Sequence, residues 1–249
     1  MEQVTILGVR FLNEAPGKAV AEVSERGGVV TVPAAPAMVR LQDDAIYREA
    51  MSRADYAIAD SGLMVLSWRL FRGEKLQRVS GLAHLKSLLA RPEFRVAGQA
   101  VYVLPAESSL QRLLTWASAN GFAVEAGDCY VAPRYALKVE DPVLLQFIAA
   151  KKPKHVVIAI GNGPQEKLGV YLRDALPYRP AIHCIGAALG FLTGDQVGIP
   201  PWADRFYLGW FLRLFAQPRI FIPRLARAAR LPWLIWRYGN EMPPLRCGD

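Results

Sequence analysis

His155-Val156-Val157-Ile158-Ala159-Ile160 runs straight into Gly161-Asn162-Gly163-Pro164-Gln165-Glu166, and the fold follows from that junction. The first half is apolar after His155 and mostly β-branched, as in a strand buried on both faces. Two glycines and a proline then break the run. Gln165–Leu176 continues with helical spacing, and Ala181–Ile185 is a second apolar run that ends at Gly186. Strand, helix and strand in so short a stretch make a βαβ unit, whose two strands lie parallel in one sheet.

The alternation extends in both directions. Val4–Val9, Ala19–Val23 and Val29–Val32 read as strands, with a turn over Asn13–Lys18. Asp43–Arg53 reads as a helix, Tyr56–Ala59 as a strand ending at Asp60-Ser61-Gly62, and residues 63–72 and 81–91 as helices. Gln99–Leu104 predicts a strand, Ser108–Asn120 a helix, Phe122–Gly127 a strand and Pro142–Ala150 a helix. The expected fold is α/β, a mostly parallel sheet flanked by helices. This domain is expected over residues 1–204. A C-terminal helical appendage is expected over 205–249, where Pro218, Pro223 and Pro232 interrupt short helices.

Ligands of parallel sheets bind beyond the carboxyl ends of the strands. Asp60 ends an apolar strand, where a carboxylate held partly from water can take a proton from an alcohol. It can equally cap the helix that follows. The turn Gly161-Asn162-Gly163 can admit a phosphate to the helix amides, with Gln165 and Glu166 hydrogen-bonding a base, ribose or sugar. An ordinary βα turn would have the same composition. Gly186 to Gly190 permits either ligand approach or close packing of helix on sheet. Thr31 brings a hydroxyl to the same rim. His84, His155 and His183 lack metal-ligand spacing and are read as structural, and no strand end carries paired carboxylates. No metal site and no cofactor are expected. Cys129, Cys184 and Cys247 form no CxxC pair, which points to a reducing compartment.

The net charge of +8 is concentrated at the C-terminal end. From Arg205 to Asn240 there are seven arginines and no Asp, Glu or Lys, interleaved with aromatics from Phe206 to Trp236. A segment both basic and apolar fits an anionic bilayer surface. Nucleic acid is the rival partner, but the leucine, isoleucine and phenylalanine content and the missing lysines argue against it. Arginines and prolines interrupt every apolar run before 18 residues, and Met1–Arg10 has no basic n-region or cleavage site. A peripheral attachment is therefore expected, without a span or a signal peptide.

Three blocks in this order carry a family resemblance. The first is Ala54-Asp55-Tyr56-Ala57-Ile58-Ala59-Asp60, followed by Arg69, Gly73 and Arg78-Val79-Ser80-Gly81. The second is Val156–Ile160 with Gly161 and Gly163-Pro164-Gln165-Glu166. The third is Ile185-Gly186-Ala187, then Phe191, Gly194, Pro200 or Pro201, Trp202, Gly209-Trp210, Arg213-Leu214 and Gln217-Pro218-Arg219. The chain resembles the WecG/TagA/CpsF glycosyltransferases of bacterial cell-surface polysaccharide and teichoic-acid assembly, from about residue 4 to about 230.

The resemblance implies a Rossmann-like, metal-independent, inverting enzyme. Such an enzyme moves a hexose or N-acetylhexosamine from a UDP-sugar to a polyprenyl-diphosphate-linked saccharide at the cytoplasmic face of the inner membrane. It places the base on Asp60 and donor contacts on Thr31, Gly161, Gly163, Gln165, Glu166 and Gly186. The diphosphate-gripping arginines fall on Arg213, Arg219, Arg224 and Arg227. Departures from the family pattern stand at Pro33, Ser61, Ala83, Gly198 and Gly209. They leave open the donor sugar and, as the alternative reading, a non-catalytic membrane-docked subunit.

Overall fold

The computed structural model describes residues 2–196 and 218–246. Its frame is one eight-stranded sheet in the order β1-β2-β4-β3-β8-β7-β5-β6. The strands are β1 (Gln3–Ile6), β2 (Val9–Leu12), β3 (Gly28–Thr31), β4 (Tyr56–Ile58), β5 (Ala100–Leu104), β6 (Cys129–Val131), β7 (His155–Ile158) and β8 (Ala181–Cys184). All neighbours are parallel except β1 and β2, an antiparallel hairpin turned by Leu7 and Gly8, both at positive φ. The fold is therefore α/β with a mostly parallel sheet.

The helices are α1 (Pro16–Arg26), α2 (Ala35–Val39), α3 (Ala45–Arg53), α4 (Gly62–Arg72), α5 (Gly81–Leu89), α6 (Glu107–Ala119), α7 (Pro142–Lys151), α8 (Pro164–Ala175), α9 (Ala188–Thr193), α10 (Pro218–Ala228) and α11 (Leu231–Tyr238). Alternate residues of the strands feed opposite cores. Val101 and Val103 of β5, with Val156 and Ile158 of β7, pack with Leu144, Ile148, Leu168 and Leu172 of α7 and α8. Tyr102 and Val157 point to the other side, against Leu85, Leu88 and Leu113 of α5 and α6. That two-sided burial is why these strands read as unbroken apolar runs.

Two expected strands are not strands. Ala19–Val23 lies inside α1, because Pro16 stands at the helix start and Ala19, Val20, Val23 and Ser24 form one buried helical face. Phe122–Gly127 is irregular: Phe122 stacks on Trp116, and a 3-10 turn closed by Glu125 and Asp128 delays the strand to β6. Pro223 sits within α10 without ending it.

The C-terminal segment returns to the domain. Ala228, Leu231, Leu234 and Ile235 join the core formed by Phe11, Met38, Tyr47, Met64 and Trp68. Gly239 and Asn240 then accept hydrogen bonds from the amides of Leu7 and Gly8 in the β1–β2 turn (2.8 and 2.9 Å). The expected boundary at 204/205 lies outside the described residues.

Candidate active site

β4, β3, β8 and β7 are consecutive in the sheet. Their carboxyl ends bring Asp60, Thr31, Gly186 and the turn Gly161–Gly163 to one rim, from stretches spread along the chain between residues 31 and 186.

Asp60 follows β4 directly, its amide donating to Ile58 O (3.0 Å). The next helix is capped by its neighbour: the Ser61 hydroxyl accepts from the Met64 amide at 3.2 Å. Of the two readings of Asp60, the cap is thus taken by Ser61. The Asp60 carboxylate turns elsewhere, accepting from the Gly81 amide at 3.1 Å. Gly81 is the first residue of α5, so the carboxylate lies at the positive end of a helix. Arg78 Nε donates to the Asp60 carbonyl at 2.9 Å, and the Val79 amide to Ala59 O at 3.1 Å. These bonds hold the segment 78–81 alongside the end of β4. Asp60 as a residue is half-buried, and a backbone amide orients its carboxylate.

Gln165 and Glu166 are fully buried. Gln165 Nε2 donates to Asn162 Oδ1 (2.9 Å) and Glu166 Oε1 (3.0 Å), while its Oε1 accepts from the Gly186 amide (2.8 Å). Glu166 Oε2 accepts from the Gly163 amide at 2.6 Å. Burial raises the Glu166 carboxyl above its ordinary range, and these hydrogen bonds oppose the rise. The two side chains therefore tie the β7 turn to the β8 turn. Gly161 and Gly163 have φ of +97° and +106°, a region that side-chain-bearing residues avoid. A Cβ on Gly161 would meet open space, whereas one on Gly163 would strike the Arg40 guanidinium.

Thr31 is also fully buried, its hydroxyl donating to Tyr56 O at 3.4 Å across the β3–β4 pair. Arg219, Arg224 and Arg227 are exposed on α10, which packs against α2, the short helix just past Thr31. Arg213 lies outside the described residues, as do Gly198 and Gly209.

Two rim cations, Arg78 and Arg40, stand outside the site residues that the sequence nominates. Arg78 stands in one of the quoted blocks, and its position there is the signal that marks it. Arg40 carries no such signal: only the folded chain brings its Nη1 to 3.4 Å from Asn162 O, at the β7 turn.

A sequence model described as the glycosyl transferase WecG/TagA/CpsF family matches residues 4–243. The chain belongs to that family. As a WecG/TagA/CpsF protein it is a glycosyltransferase of cell-surface polysaccharide synthesis. Two of the positions expected to depart from the family pattern make local contacts. Ser61 supplies the cap oxygen of α4. The Ala83 amide donates to Ser80 Oγ at 3.1 Å. Among the described residues, no helix is long and apolar enough to cross a membrane.

Proposed function

We propose that the protein is an inverting glycosyltransferase in which Asp60 is the general base. The observation that supports this reading is the half-buried Asp60 at the rim shared with the β7 and β8 turns, its carboxylate oriented by the Gly81 amide while Ser61 caps α4. A hydroxyl of the acceptor sugar transfers its proton to Asp60 as its oxygen attacks the anomeric carbon. The bond from that carbon to the donor diphosphate breaks on the opposite face, so a single displacement inverts the configuration. The donor is a UDP-sugar, its nucleotide lying over Gly161–Gly163 and Gly186. Gln165 and Glu166 act through the turn geometry they hold.

Charge developing on the departing diphosphate is met by guanidinium groups, whose paired N–H donors match phosphate oxygens. Arg78 and Arg40 are at the rim, and Arg213, Arg219, Arg224 and Arg227 belong to the C-terminal segment. The acceptor is a polyprenyl-diphosphate-linked saccharide reached at the cytoplasmic leaflet of a bacterial inner membrane. The protein attaches there peripherally through its basic, aromatic C-terminal segment.

The test is a screen of UDP-sugars against a synthetic polyprenyl-diphosphate saccharide, read by mass spectrometry of the product. Asp60→Asn, nearly isosteric, is expected to lower turnover by roughly 100-fold or more with thermal stability retained. Near-wild-type turnover in that variant would remove Asp60 from the role.

A further inference from the structure

α4 begins at Gly62, two residues beyond Asp60. Its inner side buries Met64, Val65 and Trp68 in the core. Its outer side presents Leu63, Leu66, Leu70 and Phe71 to solvent, with Leu66 54% and Leu70 77% exposed. Isolated exposed leucines are common, but a row of them on one helix beside further exposed apolar side chains marks a contact surface. α11 supplies those neighbours. It packs against α4 and inserts Leu234 and Ile235 into the same core, leaving Trp233 51% and Trp236 59% exposed. The two helices pack on each other over one core, and each leaves an apolar side exposed.

The charge on these helices has one sign. α4 carries Arg69 and Arg72, α11 carries Arg237, and neither contains Asp or Glu. Arginines set among leucines and tryptophans match a bilayer interface, where indole rings sit at headgroup depth and each cation near an anionic leaflet contributes about 1 kcal/mol. A second copy of the chain fits less well, since it would set the same arginines against each other.

We infer that α4 and α11 together form the membrane-docking face, so that half of it is built by the α/β domain itself. The inference extends the peripheral attachment proposed above, and it carries a consequence for the site. Docking through α4 sets the first turn of that helix, and hence Asp60, beside the headgroups where a lipid-linked diphosphate lies.

The test uses the full chain with Leu66→Glu/Leu70→Glu, both positions being exposed, in flotation with phosphatidylcholine vesicles with and without phosphatidylglycerol. Melting curves check the fold. Wild-type protein is expected to float with the anionic vesicles only, and the double variant to lose at least tenfold in bound fraction while melting normally. Normal flotation of the variant would overturn the role of α4 and leave attachment through the C-terminal segment standing. Failure of the wild-type protein to float would overturn both. If the variant instead floats normally but sediments at half the wild-type mass, the face joins two copies of the chain and the inference falls.

Discussion

Acidification should destabilise this domain through a row of buried histidines. His84 Nε2 lies 3.2 Å from His183 Nδ1, and His183 Nε2 lies 3.4 Å from His155 Nδ1, with all three rings inaccessible to solvent. The outer nitrogens of the row, His84 Nδ1 and His155 Nε2, are buried with no hydrogen-bond partner among the described residues. A proton added to any ring would bury a charge, which at His155 the Glu93 carboxylate offsets only in part. Burial accordingly lowers His84 and His155 from 6.5 to about 4, and lowers His183 further.

In the unfolded chain all three histidines titrate near 6.5, so between pH 6.5 and 4 the unfolded state binds more protons than the native one. Stability is therefore complete above that window and falls as the pH drops through it. At pH 5 each of the three histidines withdraws about 2 kcal/mol relative to pH 7.5, about 6 kcal/mol for the row. For a domain of this size, that lowers the melting temperature by about 12–24 °C. Glu166, whose carboxyl is raised by burial, works in the opposite sense, so the comparison should be made against His84→Asn. This variant keeps a group able to bond His183 and removes one titration, and its loss between pH 7.5 and 5 should be about 2 kcal/mol smaller than wild type. The measurement is urea unfolding of both proteins at the two pH values. Equal losses would mean that the row is protonated in the native state and that the reasoning is wrong. The row matters to the site because His84 lies one turn along α5 from Gly81, whose amide holds Asp60.

Ser61→Ala should cost about 1 kcal/mol in thermal unfolding, by loss of the bond to the Met64 amide, with turnover little changed. A collapse of turnover comparable to that of Asp60→Asn would mean the two residues act as a unit. Gln165→Leu should lower stability by about 3 kcal/mol in urea titration, because the Gly186 amide and a Glu166 oxygen lose a buried partner. Its KM for the sugar nucleotide should rise more than its kcat falls, and an unaltered KM would detach the turn from donor binding. Gly161→Ala, measured without ligand, tests backbone conformation: a Cβ there meets open space but φ is +97°, so about 1 kcal/mol of strain is expected, read as a lower melting temperature.

Much of this protein is legible in its residues, for physical reasons. β5, β7 and β8 are buried on both faces, so their runs carry no polar interruption and declare themselves. The glycines at 161, 163 and 186 mark turns because positive φ excludes most other residues. Ala19–Val23 misled because small and β-branched residues suit a helix face as well as a strand, and only the packing of α1 decided.

Local sequence also left Asp60 poised between cap and base, since either use needs a carboxylate before a helix. The fold gives the cap of α4 to Ser61, which takes the Met64 amide, and brings the Gly81 amide, 21 positions along the chain, to Asp60; the role of Asp60 as base stays a proposal. Gln165 and Glu166 could be nominated as polar groups at a rim, yet their engagement with Gly163, Asn162 and Gly186 exists only once β7 and β8 lie side by side. The same holds for Arg40 at the β7 turn and for α11 against α4. Composition and periodicity determine which surfaces are apolar and where the chain turns, because both are short-range properties. Which surfaces meet depends on contacts between distant segments, and those form only in the folded chain.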